Sequence, residues 1–306
     1  MRLRLIITLL AAGAVAAGCG SSSDNGKTKN ASASGSASCP NDKVRFGIEP
    51  YEAPAKLTPA YQVLAAALQK QLGCPVKLQI VQDYSAEVLA MRNNQLDVAE
   101  FGPLGYVFAQ QKAHAQALAS FADSNGKLSS YTAGIWVPKS SPIHTVAQLK
   151  GKSLALADPG STSGDAMPRY AIRQAGLKES DVKLDYTGGH PESLLALSKG
   201  KVDAGEVNTQ ELASAVAAHE FDPSKFRKIW SSAPIPNDPI TVNGTLPTAF
   251  KAKVKVALLH LTPQDVAKVG EFLDVTPPGP MVSVSKSTYQ PLFALAHELG
   301  LTEKDA

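Results

Sequence analysis

The 306-residue sequence carries no surplus of charge of either sign: 30 Lys and Arg stand against 27 Asp and Glu. Arg2 and Arg4 fall in an N-terminal leader; without them 28 basic residues face 27 acidic ones, a net charge of +1. Such a chain has no basic field of the kind that nucleic acid requires, so any anion it holds must be held by local geometry. The dinucleotide pattern G-x-G-x-x-G, the phosphate-loop pattern G-x-x-x-x-G-K-[ST] and the hydrolase pattern G-x-S-x-G are all missing. His144 and His190 have no second His or nearby Cys at metal-ligand spacing, so neither a metal nor a cofactor is expected. With 44% hydrophobic and 19% charged residues the composition is that of a globular protein long enough for two cores.

No apolar run reaches membrane-spanning length; the longest, Leu5 to Ala17, is too short to cross a bilayer. Preceded by Arg2 and Arg4, it reads as a secretory leader over residues 1–18. The ending Ala16-Ala17-Gly18-Cys19 resembles a bacterial lipobox, with Ala16 where leucine is commonest, so Cys19 is the expected lipidation site. Residues 20–38 are Ser, Gly, Ala, Asn and Asp without hydrophobic period, which makes 19–42 a lipid-anchored flexible tether. A domain so tethered stands at the outer face of the cytoplasmic membrane. In an oxidising compartment the two remaining cysteines, Cys39 and Cys74, allow one pairing. Each precedes a predicted strand (44–48 and 75–81), and the starts of two such strands are neighbours in a parallel βαβ unit. A bridge there closes a loop of about 35 residues and stabilises by roughly 3–4 kcal/mol. The alternative is a pair of free buried thiols.

The stretch around which the rest is organised is Asp158-Pro159-Gly160-Ser161-Thr162-Ser163-Gly164. The apolar run 153–157 before it reads as a buried strand, and residues 165–175 after it read as a helix with Pro168 in the first turn. The turn aims unpaired helix N–H groups and three hydroxyls at one spot, an arrangement suited to an oxyanion. An ordinary Ser N-cap is the plainer alternative. Strands and helices alternate along the chain, with strands expected among others over 96–99, 131–137 and 202–204, which argues an α/β sheet. Leu89-x-Met91…Gln95-Leu96-Asp97-Val98-Ala99-Glu100 also matches Leu195-x-Leu197…Lys201-Val202-Asp203-Ala204-Gly205-Glu206 at a constant offset of 106. This repeat predicts two similar α/β lobes facing each other across a cleft lined by strand ends. The residues at those ends are Tyr84, Glu100, Phe101, Ser161 to Ser163, His190, Glu206, Asn208 and Asp238. A Ser161–His190 hydrolase dyad stays open at this point, although no nucleophile elbow accompanies it.

Taken together, DYSAEVLAMRNNQLDVAEFGP, DPGSTSG, GGHPESLLAL…VDAGEVNTQEL and PIPNDPI resemble the phosphate/phosphite/phosphonate-binding proteins of ABC transporters, over residues 44–245. The resemblance implies a two-lobed periplasmic-binding-protein fold (type II-like), with residues 43–136 and 239–306 as lobe one and 137–238 as lobe two. It implies a monomer that closes on its ligand and delivers it to a membrane permease, without catalysis. It assigns the phosphorus oxyanion to Tyr84, Ser161, Thr162, Ser163 and His190. Three departures matter. Phe101 stands where aminoalkylphosphonate-binding relatives have a second tyrosine, and Gln210 where they have a glutamate for the ligand ammonium, while Asp238 keeps the other carboxylate. Glu100 replaces an aromatic, with Glu206 as its repeat mate, and a carboxylate beside a dianion is costly. Glu100 is therefore either salt-bridged away from the pocket or accepts a hydrogen bond from the ligand. The expected ligand is a phosphonate, phosphite or phosphate ester rather than 2-aminoethylphosphonate. The alternatives are a secreted hydrolase or phosphotransferase using Ser161 and His190, and a binding protein for another anion such as a sulfonate. Trp136, Trp230 and Met281 read as packing, Lys251, Lys253 and Lys255 as a solvated helix face, and Tyr51 as a residue that lines the cleft or packs beside it.

Overall fold

The computed structural model describes residues 39–302; the leader, Cys19 and residues 20–38 of the tether lie outside the described residues. The first part of the chain runs β1 (Val44–Ile48), α1 (Pro54–Leu72), β2 (Val76–Ile80), α2 (Tyr84–Arg92), β3 (Val98–Glu100), α3 (Pro103–Ala113) and β4 (Gln116–Ser120). The middle follows as β5 (Ser130–Tyr131), β6 (Gly134–Pro138), β7 (Ser153–Leu156), α4 (Met167–Gln174), β8 (Lys183–Tyr186), α5 (His190–Ser198), β9 (Ala204–Glu206), α6 (Thr209–Ala217), β10 (Phe226–Ser231) and β11 (Ile235–Pro236). The last part is β12 (Pro239–Val242), α7 (Thr248–Leu259), α8 (Pro263–Phe272), β13 (Val282–Ser283) and α9 (Gln290–Leu299). Among the described residues no helix is long and apolar enough to cross a membrane.

Two sheets organise these elements, one per lobe. The first has the order β13-β4-β12-β3-β1-β2, the second β10-β6-β9-β7-β8. Each contains a parallel trio, β3-β1-β2 and β9-β7-β8. Each is completed by antiparallel strands, β12, β4 and β13 in the first and β6 and β10 in the second. Helix α1 shows why its sequence folds as it does. Leu57, Tyr61, Leu64, Leu68 and Leu72 recur at helical spacing and are buried, and Gly73 at φ 62° ends the helix in the left-handed conformation. This face packs with Phe46, Ile48, Val242 and Phe250 in the largest apolar cluster. A second cluster, built on Phe101, Phe108, Tyr289 and Leu292, fills the space between α3 and α9.

The 106-residue repeat is a structural repeat. Asp97 Oδ2 accepts the backbone N–H of Arg45 at 2.8 Å, and Asp203 Oδ2 accepts that of Ser153 at 2.9 Å. In both lobes an aspartate carboxylate, not a backbone carbonyl, meets the start of the neighbouring strand. Strands β3 and β9 accordingly begin after the aspartate, later than the runs 96–99 and 202–204 expected from apolar residues alone. Other expectations are corrected too. The single strand expected over 131–137 is two, because Thr132 and Ala133 bridge from the small β5–β11 ribbon to β6. The helix expected from Asp165 starts earlier, as one π-turn over Thr162–Ala166 ahead of α4. Strands β4, β12 and β13 were not anticipated; they carry the chain back across the first sheet.

Cys39 and Cys74 are joined, with Cα atoms 5.7 Å apart and a sequence separation of 35. Replacing both with serine is expected to lower stability by roughly 3–4 kcal/mol. At about 2–4 °C per kcal/mol, calorimetry should find a melting midpoint roughly 10 °C lower, and reductant should reproduce that loss in the parent protein.

Candidate functional site

Five helix or π-turn starts converge between the two sheets. Tyr84 opens α2, whose Asp83 cap accepts the Ala86 N–H at 2.6 Å. Ser161 caps the π-turn, its Oγ accepting the Gly164 N–H at 3.1 Å. His190 opens α5. Asn208 caps α6, with Oδ1 accepting from Glu211 N at 2.8 Å and Nδ2 donating to Ser163 Oγ at 3.2 Å. From the other lobe, the Leu104 N–H in the first turn of α3 donates to Thr162 Oγ1 at 2.9 Å. The positive ends of the helix dipoles thus face one small volume.

That volume is a cavity lined by both lobes, among them Glu49, Tyr84, Tyr131, Ser161, Thr162, Ser163, His190, Gln210 and Asp238. Its interior leaves about 30 Å³ open to the centre of a water-sized sphere. A single water needs about 10–15 Å³ by that measure, so the space suits a compact group of few atoms. Among the sequence-derived candidates, Tyr84, the three hydroxyl residues, His190, Gln210 and Asp238 are brought together on it. Tyr51 lines it as well. Phe101, Glu100 and Glu206 are buried but are not among the lining residues. Phe101 packs into the second apolar cluster, while Glu206 Oε1 sits 2.8 Å from His190 Nδ1, behind the ring. Glu100 makes no salt bridge; the hydrogen-bonding group that faces it is the Tyr61 phenol. Trp136 and Met281 are buried in apolar clusters.

Glu49, Tyr131, Glu52 and Glu211 also line the cavity, and the sequence reading missed all four. Glu49 follows β1 directly, so applying the strand-end rule to the first strand would have found it. Tyr131 comes from the β5–β11 ribbon, which has no counterpart in the repeat. The repeat itself reaches further than its sequence identities. At the same offset of 106, Tyr84 corresponds to His190, and left-handed Asn94 (φ 55°) to left-handed Gly200 (φ 64°). The two lobes thus present the start of the same helix to the cavity, one with a phenol and the other with an imidazole.

The electrostatics are set by burial without lining cations: no Lys or Arg is among the lining residues. Burial, with Asp238 and Glu100 nearby, drives the Glu49 carboxyl well above the usual range. Burial and Asp238 do the same to Glu100. Burial lifts Asp238 to about 7 and Glu211 to about 7, with the His190 charge opposing in each case. For His190 burial disfavours the cation, but the charge and hydrogen bond of Glu206 outweigh it and the imidazole pKa ends raised. Ser161 Oγ, 3.3 Å from His190 Nε2, completes a Ser–His–Glu line. A general base must be neutral to take a proton. Here Glu206 favours the imidazolium, and Ser161 Oγ is already an acceptor from Gly164. The line is therefore better suited to donating hydrogen bonds to an anion than to activating a nucleophile.

Comparison with known proteins agrees with this geometry. Residues 46–289 match the family model described as "ABC transporter, phosphonate, periplasmic substrate-binding protein". The phosphonates-binding periplasmic protein of Escherichia coli K12 is 30% identical over 216 residues, 69% of this chain and 64% of that protein. The phosphate-import protein PhnD of Mycolicibacterium smegmatis is 28% identical over 217 residues, 67% of this chain and 68% of that protein. The chain thus spans about two thirds of the length of these curated relatives. In fold it is similar to PhnD1 of Prochlorococcus marinus MIT 9301, solved in complex with methylphosphonate. That match has a TM-score of 0.74 at 20% identity, covering 85% of this chain and 98% of the other. The family is one of binding proteins and not of enzymes, and this chain, with its two α/β lobes about a shared cavity, belongs to the periplasmic substrate-binding proteins of phosphonate ABC transporters.

Proposed function

We propose that the protein is the extracytoplasmic, lipid-anchored solute receptor of an ABC importer. It encloses a small phosphorus oxyanion between its lobes as a monomer and hands it to the permease. One observation carries this reading: Tyr84, the Ser161–Thr162–Ser163 turn and His190, which come from both lobes, line one small cavity. Neutral hydroxyls and helix N–H groups hold an anion without a covalent step, and such a ligand can be released again. Cys19 anchors the chain at the outer face of the cytoplasmic membrane, as its lipobox-like context supports, and residues 43–136 with 239–306 and residues 137–238 form the two closing halves.

Within the phosphorus class the reading favours phosphite, simple phosphonates or small phosphate esters over 2-aminoethylphosphonate. Gln210, where an ammonium partner is implied, commits Nε2 to Asn237 Oδ1 at 3.2 Å and to the Leu273 carbonyl at 3.1 Å. Burial raises the Asp238 pKa to about 7, which removes much of the fixed negative charge that an ammonium would seek. Phe101 adds no hydroxyl, and Glu100 and Glu206 act from behind the lining residues.

Thermal shift and calorimetry against phosphite, phosphate, methylphosphonate, 2-aminoethylphosphonate, sulfate and methanesulfonate test this directly. The expected result is binding of the amine-free phosphorus anions, worth about 2.7 kcal/mol of stabilisation at a hundredfold excess over Kd. Ser161→Ala and His190→Ala are each expected to weaken it by about 10- to 100-fold, since hydrogen bonds to charged groups contribute about 1.5–3 kcal/mol. Tighter binding of a sulfonate, or of 2-aminoethylphosphonate, would overturn the ligand assignment.

The buried acids set a second expectation. Asp238 at about 7, Glu211 at about 7 and Asp158 at about 6 hold protons in the folded state that the unfolded chain has lost by about pH 4. Between pH 4 and 7 the native state binds more protons, so stability falls as pH rises. The raised His190 pKa acts in the same direction above pH 6.5. The ligand-free protein should melt several degrees higher at pH 5 than at pH 7.5, and a flat or opposite profile by calorimetry would contradict the assigned protonation.

A further inference from the structure

The hydroxyl turn lacks the side chain that ordinarily closes such a turn, and a residue one place later takes over its bond. In a capping box the N-cap side chain accepts the N–H of the third helical residue, whose own side chain reaches back to the N-cap N–H. Ser161 Oγ supplies the first half, accepting the Gly164 N–H at 3.1 Å. The second half cannot come from Gly164. A Cβ there would lie 2.5 Å from Ala157 Cβ and 2.8 Å from His190 Cε1, so His190 comes this close to the turn only because the residue is glycine. Asp165 reaches back instead. It is buried, and its Oδ2 accepts the Gly160 N–H at 3.1 Å, one residue further out at each end. The backbone is widened to match: the Ala166 N–H meets the Ser161 carbonyl, five residues back, at 3.0 Å. Thr162 and Ser163 lie inside this π-turn and Ser161 caps it.

We propose that Asp165 is a positioning residue of the anion site: by holding the Gly160 N–H it fixes the widened turn, and with it the directions of Ser161, Thr162 and Ser163, without itself touching the ligand. This rests on the phosphorus-oxyanion reading above and adds to it what orients the turn. Asp165 is not among the residues that line the cavity. Its other partners hold the carboxyl in place. The Tyr186 O–H donates to Oδ1 at 2.7 Å and Arg169 Nη1 to Oδ2 at 3.4 Å, while Arg169 Nε is tied to Glu179 at 3.0 Å. Gly160, Tyr186 and Arg169 all donate, which suits an ionised carboxylate, an acceptor only. The Arg169 guanidinium offsets its charge, so an acid can stand beside the hydroxyl turn with little penalty for a bound anion.

The experiment measures affinity for phosphite, phosphate and methylphosphonate by calorimetry in the full chain and its variants, with melting curves to follow folding separately. Asp165→Ala removes the acceptor and is expected to bind about 10- to 100-fold more weakly, the scale on which misplaced positioning groups act. Asp165→Asn keeps an oxygen for the Gly160 N–H, and the Tyr186 hydroxyl can turn to accept from the new amide. It is expected to bind within about threefold of the parent. Tyr186→Phe leaves the Gly160 bond in place and is expected within about threefold as well, whatever its melting midpoint. Should Asp165→Ala not fold, combining it with Arg169→Met removes the stranded guanidinium too, and that double variant takes its place. A role in stability alone would lower the melting midpoint of Asp165→Ala and leave its affinity within about threefold of the parent. That result, or an asparagine variant as weak as the alanine one, would overturn the proposal while leaving the receptor reading intact. Failure of the parent to bind any of the three anions would overturn both.

Discussion

The structure depends on one electrostatic constraint: a small cavity walled by buried carboxyl groups, with no lysine or arginine among its lining residues, must balance its charge with protons. An unpaired carboxylate in such surroundings is expensive, and the group gives up its charge instead. Glu49, Glu100 and Asp238 are all shifted toward the neutral acid by burial. The His190 imidazole is shifted the other way, toward its cation, by Glu206 behind it and despite its burial. The imidazole is the second lobe's alone, while carboxyl groups shifted by burial stand on both, Glu49 on the first and Glu211 and Asp238 on the second. An anion entering between them meets donors on both sides.

That division is laid over an internal duplication. Asp97 and Asp203 receive the neighbouring strand's N–H in the same way, and Glu100 and Glu206 end the matching strands β3 and β9. One hundred and six residues apart, Tyr84 and His190 open matching helices. The scaffold is repeated and the chemistry is not. Ser193, the counterpart of Glu87, donates to the carbonyls of Ala155 and Glu206, at 3.3 and 3.1 Å, whereas Glu87 leaves both oxygens unpartnered beside Gly47. Substitution at equivalent positions is what turns two similar lobes into two unlike halves of one site.

Much of this was legible in the sequence because it is encoded locally. The hydroxyl turn, the helices expected from Ser85 and Glu192, which begin one or two residues earlier at Tyr84 and His190, and the repeated Asp and Glu follow from spacing and from the preferences of helix N-termini. The Cys39–Cys74 pairing followed from two strand starts being neighbours. What was not legible is what depends on distant chain. Strands β12 and β4 pair across the first sheet from positions about 120 residues apart in sequence, and no local period announces such a return. Tyr131 reaches the cavity through a two-residue ribbon pairing with Ile235. Glu49 was within reach of the strand-end rule, but the Gly102 N–H that fixes its carboxyl lies more than fifty residues later. Phe101 and Glu100 failed to line the cavity for a related reason: neighbouring residues at a strand end point to different sides, and α3 turns away immediately after them.

On the proposed receptor reading, the contact between the lobes ties closure to the ligand. Thr162 Oγ1 accepts the Leu104 N–H from the opposite lobe, so the hydroxyl turn that faces the proposed oxyanion also closes the cleft. A hydroxyl has one proton and two lone pairs. With Leu104 occupying one lone pair, the Thr162 proton remains for an anion, and filling both roles at once joins ligand binding to closure. Ser163 is in the same position: its oxygen accepts from Asn208 Nδ2, leaving its proton to give. Ser161, accepting from Gly164, repeats the arrangement a third time. Each of the three hydroxyls is oriented by a donor of the protein and so turned outward as a donor itself. A run of three small polar residues, unremarked by any catalytic motif, thereby has the donors that the proposed anion receptor requires at its centre.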